Sequence, residues 1–224
     1  MFFLFVKCFI SILFAVSFCS ATDFYSLSAE DIFGNQIDFQ SFQGKVVIIV
    51  NIPFECRFAD SIYGDLEGLH AELGGLDTLK ILVFMSDQFG GLYPPCDQKQ
   101  VKHLLKLKKK LSYLPFQIFK KTDVIGLKSH PVFKYLVKKS KIKPDGNFYK
   151  YLIDHYGTVA EVFPPNMSVV GEAYDLIYKY VKLTLDDALG NMKNIINDLK
   201  EEEKDDNRKK KTRHQNDIKL DNKS

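Results

Sequence analysis

Residues 46–56 read Val46-Val47-Ile48-Ile49-Val50-Asn51-Ile52-Pro53-Phe54-Glu55-Cys56, and this stretch decides the fold. The β-branched run at its start is short, apolar and preceded by Gly44-Lys45, the signature of a buried strand. Proline cannot donate to a ladder in a central strand, so residues 51–55 are expected to turn the chain. Beyond Cys56, Ile62, Leu66, Leu69 and Leu73 recur at helical spacing, which predicts a helix over Asp60–Leu73. A cysteine between a core strand and a helix N-terminus faces free backbone N–H groups and the positive end of the helix dipole. Both favour the thiolate, which is the nucleophilic form. The chemistry signalled is therefore redox chemistry at Cys56.

Working outward, a second apolar run, Ile81-Leu82-Val83-Phe84, follows the helix and completes a βαβ unit, which implies parallel pairing. Upstream, Gly34-Asn35 marks a hairpin turn within residues 23–42. Downstream, residues 98–111 read as a basic amphipathic helix with Val101, Leu104, Leu105 and Leu111 inward. Phe116-Gln117-Ile118-Phe119 reads as a short strand. A helix is expected over residues 130–139, with Pro131 in its first turn. Residues 148–154 and 158–163 form a hairpin around His155-Tyr156-Gly157, and residues 169–182 a closing helix. Residues 187–199 extend the helical pattern through Leu189, Met192, Ile195, Ile196 and Leu199. From Lys200 the chain is almost wholly charged or polar, and disorder is expected.

The chain has 224 residues, a net charge of +3 and no Trp. That suits one domain with appendages. The basic runs at 106–110, 138–143 and in the tail read as solvated faces. No groove-reading or aromatic-lined basic face points to nucleic acid. Lys7 followed by the apolar residues 8–18 and the small Cys19-Ser20-Ala21 reads as a signal peptide, residues 1–21, cleaved after Ala21. An uncleaved anchor counted from Met1 is the alternative. Either way the domain is expected in the secretory pathway, secreted or in the endoplasmic reticulum lumen, where Asn166-Met167-Ser168 is a glycosylation acceptor. The terminus carries no Lys-Asp-Glu-Leu type signal to choose between the two. The mature chain keeps Cys56 and Cys96, either a disulfide or a reactive thiol with a partner. No metal-ligand spacing and no phosphate-binding loop are present.

Three motifs carry a resemblance. Asn51 with Cys56, then Gln88-Phe89-Gly90-Gly91, then Asn147-Phe148 fall in this order, each at the end of a predicted strand. They resemble the glutathione peroxidase family: the segment around its peroxidatic selenocysteine or cysteine, its glutamine motif, and its Trp-Asn-Phe motif without the Trp. Asp23-Phe24-Tyr25, Gly44-Lys45-Val46 and His130-Pro131-Val132-Phe133-Lys134-Tyr135-Leu136 agree as well. The likeness spans about residues 23–182 and is closest to compact members of the endoplasmic reticulum. It implies an α/β, thioredoxin-like fold, a mixed central sheet flanked by helices, over residues 22–183. Residues 184–224 remain as a helical extension and charged tail.

The resemblance implies peroxide reduction, with Cys56 as peroxidatic residue and Gln88 and Asn147 as amide donors around it. Hydrogen peroxide or an organic hydroperoxide is the substrate. The electron donor is a thiol, glutathione or a thioredoxin-like protein, used as co-substrate with no bound cofactor. A protein disulfide isomerase-type partner is a candidate, and a monomer is expected. The site departs from the family pattern. Gly146 stands at the Trp position, and Pro53 and Phe54 replace small residues. Arg57 follows the cysteine, Ala59 replaces Thr, and Met85-Ser86-Asp87 stands for Pro-Cys-Asn. Arg57 would lower the thiol pKa, while Glu55 and Asp87 would raise it. Cys96 is the candidate resolving cysteine. The alternative function is a catalytically weak redox-sensing or binding module, and a third is oxidative protein folding.

Overall fold

The structure, a computed structural model, describes residues 23–53, 60–75, 77–90 and 116–221. The signal-peptide segment, Cys56 with Glu55 and Arg57, Cys96 and the helix expected at 98–111 lie outside the described residues.

Seven strands and three α-helices are described, besides two short 3-10 turns at Phe24–Ser26 and Phe39–Phe42: β1 (Ser28–Glu30), β2 (Gln36–Asp38), β3 (Val46–Pro53), α1 (Asp60–Leu73), β4 (Leu79–Ser86), β5 (Gln117–Phe119), α2 (Pro131–Ser140), β6 (Lys150–Ile153), β7 (Val159–Phe163) and α3 (Tyr174–Asp221). β1 and β2 form a small antiparallel hairpin. Its turn is held by Asp31, whose Oδ1 accepts from the Phe33 and Asn35 backbone N–H groups. The other five strands form one sheet in the order β5-β4-β3-β6-β7. β3, β4 and β5 run parallel, whereas β6 pairs antiparallel with β3 and with β7. The expected α/β thioredoxin-like arrangement is what forms.

The period-two geometry of strands sorts the apolar residues onto two faces. Ile48, Val50 and Ile52 of β3, Ile81, Val83 and Met85 of β4 and Leu152 of β6 face one side, with Leu66, Leu69, Ile177 and Val181 of α1 and α3. Val47, Ile49, Leu82, Phe84, Tyr151 and Ile153 face the other, against Val132, Phe133 and Leu136 of α2 and the N-terminal Phe24, Phe39 and Phe42. On that second face Phe84 stacks on Phe119 at 4.4 Å between centroids and meets Phe133 edge-on at 5.4 Å.

Two expectations need correction. Pro53 does not sit in a turn; it is the last residue of β3, opposite Ser86. A proline is tolerated there because the ladder ends with it, and β3 therefore carries Asn51 and Ile52 inside the sheet. The tail is not disordered from Lys200: α3 continues unbroken to Asp221. Glu, Lys and Arg have good helix propensity, and charges four apart support one another, as Lys209 does with Asp205 at 3.1 Å. Among the described residues no helix is long and apolar enough to cross a membrane.

Candidate functional site

Strand direction determines what meets at the β3 C-terminal edge. β3, β4 and β5 are parallel, so the chain after Pro53, after Ser86 and after Phe119 all emerges on that edge. β6 runs the other way and enters there, with Lys150 opposite Val50. Residues 146–149, just before β6, therefore arrive beside the end of β3. In open α/β sheets this carboxyl edge is where ligands bind.

Asn51 locks the arrangement. Its side chain is fully buried in an otherwise apolar strand. Its Nδ2 donates to the Gly146 carbonyl at 3.0 Å, and its Oδ1 accepts from the Tyr149 N–H at 3.1 Å. The backbones clasp as well: the Phe148 N–H donates to the Asn51 carbonyl at 2.7 Å and the Asn51 N–H to the Tyr149 carbonyl at 3.3 Å. Between these points the chain must turn sharply, and Phe148 takes a left-handed φ of 71°. Such a conformation costs a bulky residue about 1–3 kcal/mol and persists only where its surroundings enforce it. The clasp is that enforcement, and it fixes the position of Asn147.

Asn147 reaches across to the β4 side, where its Nδ2 donates to the Gly90 carbonyl at 2.8 Å. Its Oδ1 is buried with no partner among the described residues. Gln88, two residues before Gly90, is exposed. Its Oε1 accepts from the Val124 and Ile125 N–H groups at 2.7 and 2.9 Å, and its Nε2 donates to the Ile125 carbonyl at 3.0 Å. Each carboxamide nitrogen has two hydrogens, so each residue keeps one N–H beyond these bonds. The loop that Gln88 holds is also tied by the Thr122 N–H to the Met85 carbonyl at 2.9 Å.

A charged pair flanks the edge. Lys121 pairs with Asp87 at 2.5 Å, and this hydrogen bond holds the Asp87 carboxyl below its ordinary range. The negative charge expected to oppose a thiolate is thus offset by a neighbouring ammonium. His130 is the N-cap of α2, its Nδ1 accepting from the Val132 N–H at 3.3 Å. Burial lowers its pKa, which favours the neutral ring. His155 lies at the opposite end of the sheet and pairs with Asp187 at 2.9 Å.

The structure thus brings Gln88, Asn147 and the end of β3 to one edge. Cys56 and Cys96 are outside the described residues; the tether of Cys56 is Pro53, three residues before it, and α1 begins at Asp60, four residues after it. Gly146 is open: a Cβ built on it meets nothing within 4 Å. Sequence reasoning singled out Asn51 but missed its role as anchor. The available signal was a lone amide side chain in a strand too apolar to leave it unpaired. It also missed the loop that Gln88 grips, because no residue type at 124–125 advertises a backbone contact. Among the described residues no cluster of side chains fits a metal ion.

A family model described as glutathione peroxidase matches residues 24–137. Mouse glutathione peroxidase 7 is 32% identical over 166 residues, covering 74% of this chain and 87% of that protein. Mouse probable glutathione peroxidase 8 is 33% identical over 142 residues, covering 63% of this chain and 66% of the relative. Among solved structures, the crystal structure of Trgpx in apo form is similar with a TM-score of 0.58 at 25% identity, over 72% of this chain and 97% of that one.

Proposed function

This chain belongs to the glutathione peroxidase family, and on that basis we propose that it is a thiol-dependent peroxidase working through Cys56. The observation that carries the reading is the convergence of three segments at one sheet edge. The strand leading to Cys56, the Gln88 turn and the Asn51-clasped Asn147 are far apart in sequence and meet where the cysteine is tethered. Three residues of chain span at most about 11 Å.

In the proposed reaction the Cys56 thiolate attacks one oxygen of hydrogen peroxide or an organic hydroperoxide. The S–O bond forms as the O–O bond breaks, the departing oxygen takes a proton to leave as water or alcohol, and Cys56 becomes a sulfenic acid. The remaining N–H groups of Gln88 and Asn147 are the donors offered to the thiolate and the departing oxygen. A thiol then attacks the sulfenic sulfur and water leaves, giving a disulfide. That thiol is Cys96 or an external donor such as glutathione or a thioredoxin-like protein, and a second thiol restores Cys56. The N-terminal apolar segment and the exposed Asn166 of the acceptor Asn166-Met167-Ser168 support a place in the secretory pathway. An Asn166→Gln change that abolishes a glycosidase-sensitive shift in secretory expression checks that placement.

One observation favours the second reading, a weakly active redox module. Where the family has an indole donor this chain has open space at Gly146, and both amides are half spent on backbone carbonyls. Peroxide consumption by the purified protein against Cys56→Ser, with several thiol donors, separates the two. Loss of turnover in Cys56→Ser supports the peroxidase, and equal rates support the module. A midpoint for Cys56 alkylation below the reference thiol value of ~8.5 is expected.

A further inference from the structure

We propose that the projecting half of α3 is a dimerisation arm, which pairs antiparallel with α3 of a second copy of this chain. Up to Thr184 the helix is fastened to the domain: Ile177, Val181 and Thr184 are buried. From residue 186 to residue 209 every side chain is exposed. This exposed stretch is not uniformly polar. Leu189, Met192, Ile196 and Leu199 are 53%, 58%, 43% and 58% exposed, and the half-buried Leu185 begins the row. Steps of four, three, four and three residues give the 3.5-residue repeat of a coiled-coil seam. A helix needing only to solvate itself has no use for such a row, since apolar stripes are buried against something.

Charge selects the occupant and its direction. The row continues in register through the exposed Lys182 on one side and through Glu203 and Asp206 on the other. In a parallel pair each seam residue meets its own copy, so Lys182 would face Lys182 and Asp206 would face Asp206. In an antiparallel pair with Leu189 opposite Leu199 of the second copy, Met192 lies opposite Ile196 and Lys182 opposite Asp206. In the same register the flanking Asp186 lies opposite Lys200. The two-fold axis repeats each contact, giving four opposite-charge pairs around an apolar centre that Ile195 widens, against two contacts of Leu185 with Glu203 and one like pair of Lys193 with itself. Opposite charges beside a seam set partner choice and orientation. The arm stands at the far end of the sheet from the Gln88–Asn147 edge, so its occupancy and peroxide turnover are separable. A dimer replaces the monomer expected from the sequence.

Sedimentation equilibrium of the full mature chain tests the proposal. The wild type should be a dimer at tens of micromolar. Leu189→Lys with Ile196→Lys should raise the dimer dissociation constant about a hundredfold or more, with the circular-dichroism melting transition of the domain unchanged. Lys182→Glu should raise it about tenfold, and Lys182→Glu with Asp206→Lys should return it to the wild-type value. A wild-type chain that stays monomeric at every concentration overturns the proposal, whether the seam is covered by residues 91–115 or by another partner. A dimer that the double charge reversal does not rescue overturns the antiparallel pairing.

Discussion

The two ends of the central sheet are built from the same strands and differ in how they are closed. At the start of β3 the β6–β7 turn is clamped shut. Tyr25 donates to the His155 carbonyl at 2.7 Å and Tyr135 to the Gly157 carbonyl at 2.8 Å. His155 and Tyr156 both reach Asp187 on α3. Lys45 and Lys80 converge on Asp77 at the strand starts. At the other end three carboxamides, those of Asn51, Gln88 and Asn147, hold loops, beside the Lys150 ammonium that donates to the Pro164, Pro165 and Met167 carbonyls. Phenol clamps close a turn and leave no donor over. Carboxamides close a loop and keep an N–H, which the proposed reaction would use.

The sharpest way to break the comparison is at the closed end. Gly157 has a φ of +85°, and a Cβ there would lie 2.8 Å from the Tyr25 ring. Gly157→Ala should cost about 2–4 kcal/mol in chemical denaturation, with peroxide turnover per folded molecule unchanged. If turnover falls with stability, the ends are not independent. Asn51→Ala is the counterpart at the open end. It strips partners from the half-buried Gly146 carbonyl and Tyr149 N–H, a loss of about 1–3 kcal/mol. It should also lower kcat/KM by more than about tenfold, because Asn147 loses its position. Gly146→Trp fills open space with an indole donor and should raise turnover several-fold with stability within about 1 kcal/mol. An unchanged rate would place the weakness of the site elsewhere.

The smallest expected effect is electrostatic. The hydrogen bonds from Lys45 and Lys80 lower the Asp77 pKa to about 2. A depressed carboxylate stabilises the fold above its unfolded value of ~3.9, and that contribution is lost as pH falls toward about 2. Asp77 is 63% exposed, so solvent screening holds Asp77→Asn to less than about 1 kcal/mol at neutral pH. Urea melts of wild type and variant should differ most at pH 7, draw closer at pH 3 and converge only near pH 2.

Much of this was legible in the sequence. The α1 boundaries, Asp60–Leu73, followed from four apolar residues at helical spacing, and the strand at 46–50 from its β-branched run. The glutathione peroxidase resemblance, carried by the motifs at 51, 88 and 147, agrees with the family model match over residues 24–137. Pro53 was misread because its cost in a ladder depends on whether a neighbour needs its N–H, which only the register settles. The tail was misread because charge density argues for solvation, whereas helix propensity and ion pairs four apart act on the same residues. The clasp between Asn51 and Tyr149 could not be read at all, since a contact 98 residues apart leaves no local trace.

The placement of β6 also bears on biosynthesis. Because β6 lies between β3 and β7, the apolar strand β3 has one ladder unpaired until residues 150–153 have left the ribosome. Between residue 53 and residue 150 of its translation the nascent chain carries a sticky, half-dressed strand, the kind of edge that invites aggregation and chaperone binding. The same delay leaves Asn147, the proposed donor, absent until the chain is about two-thirds made, so an incomplete polypeptide would lack the proposed site.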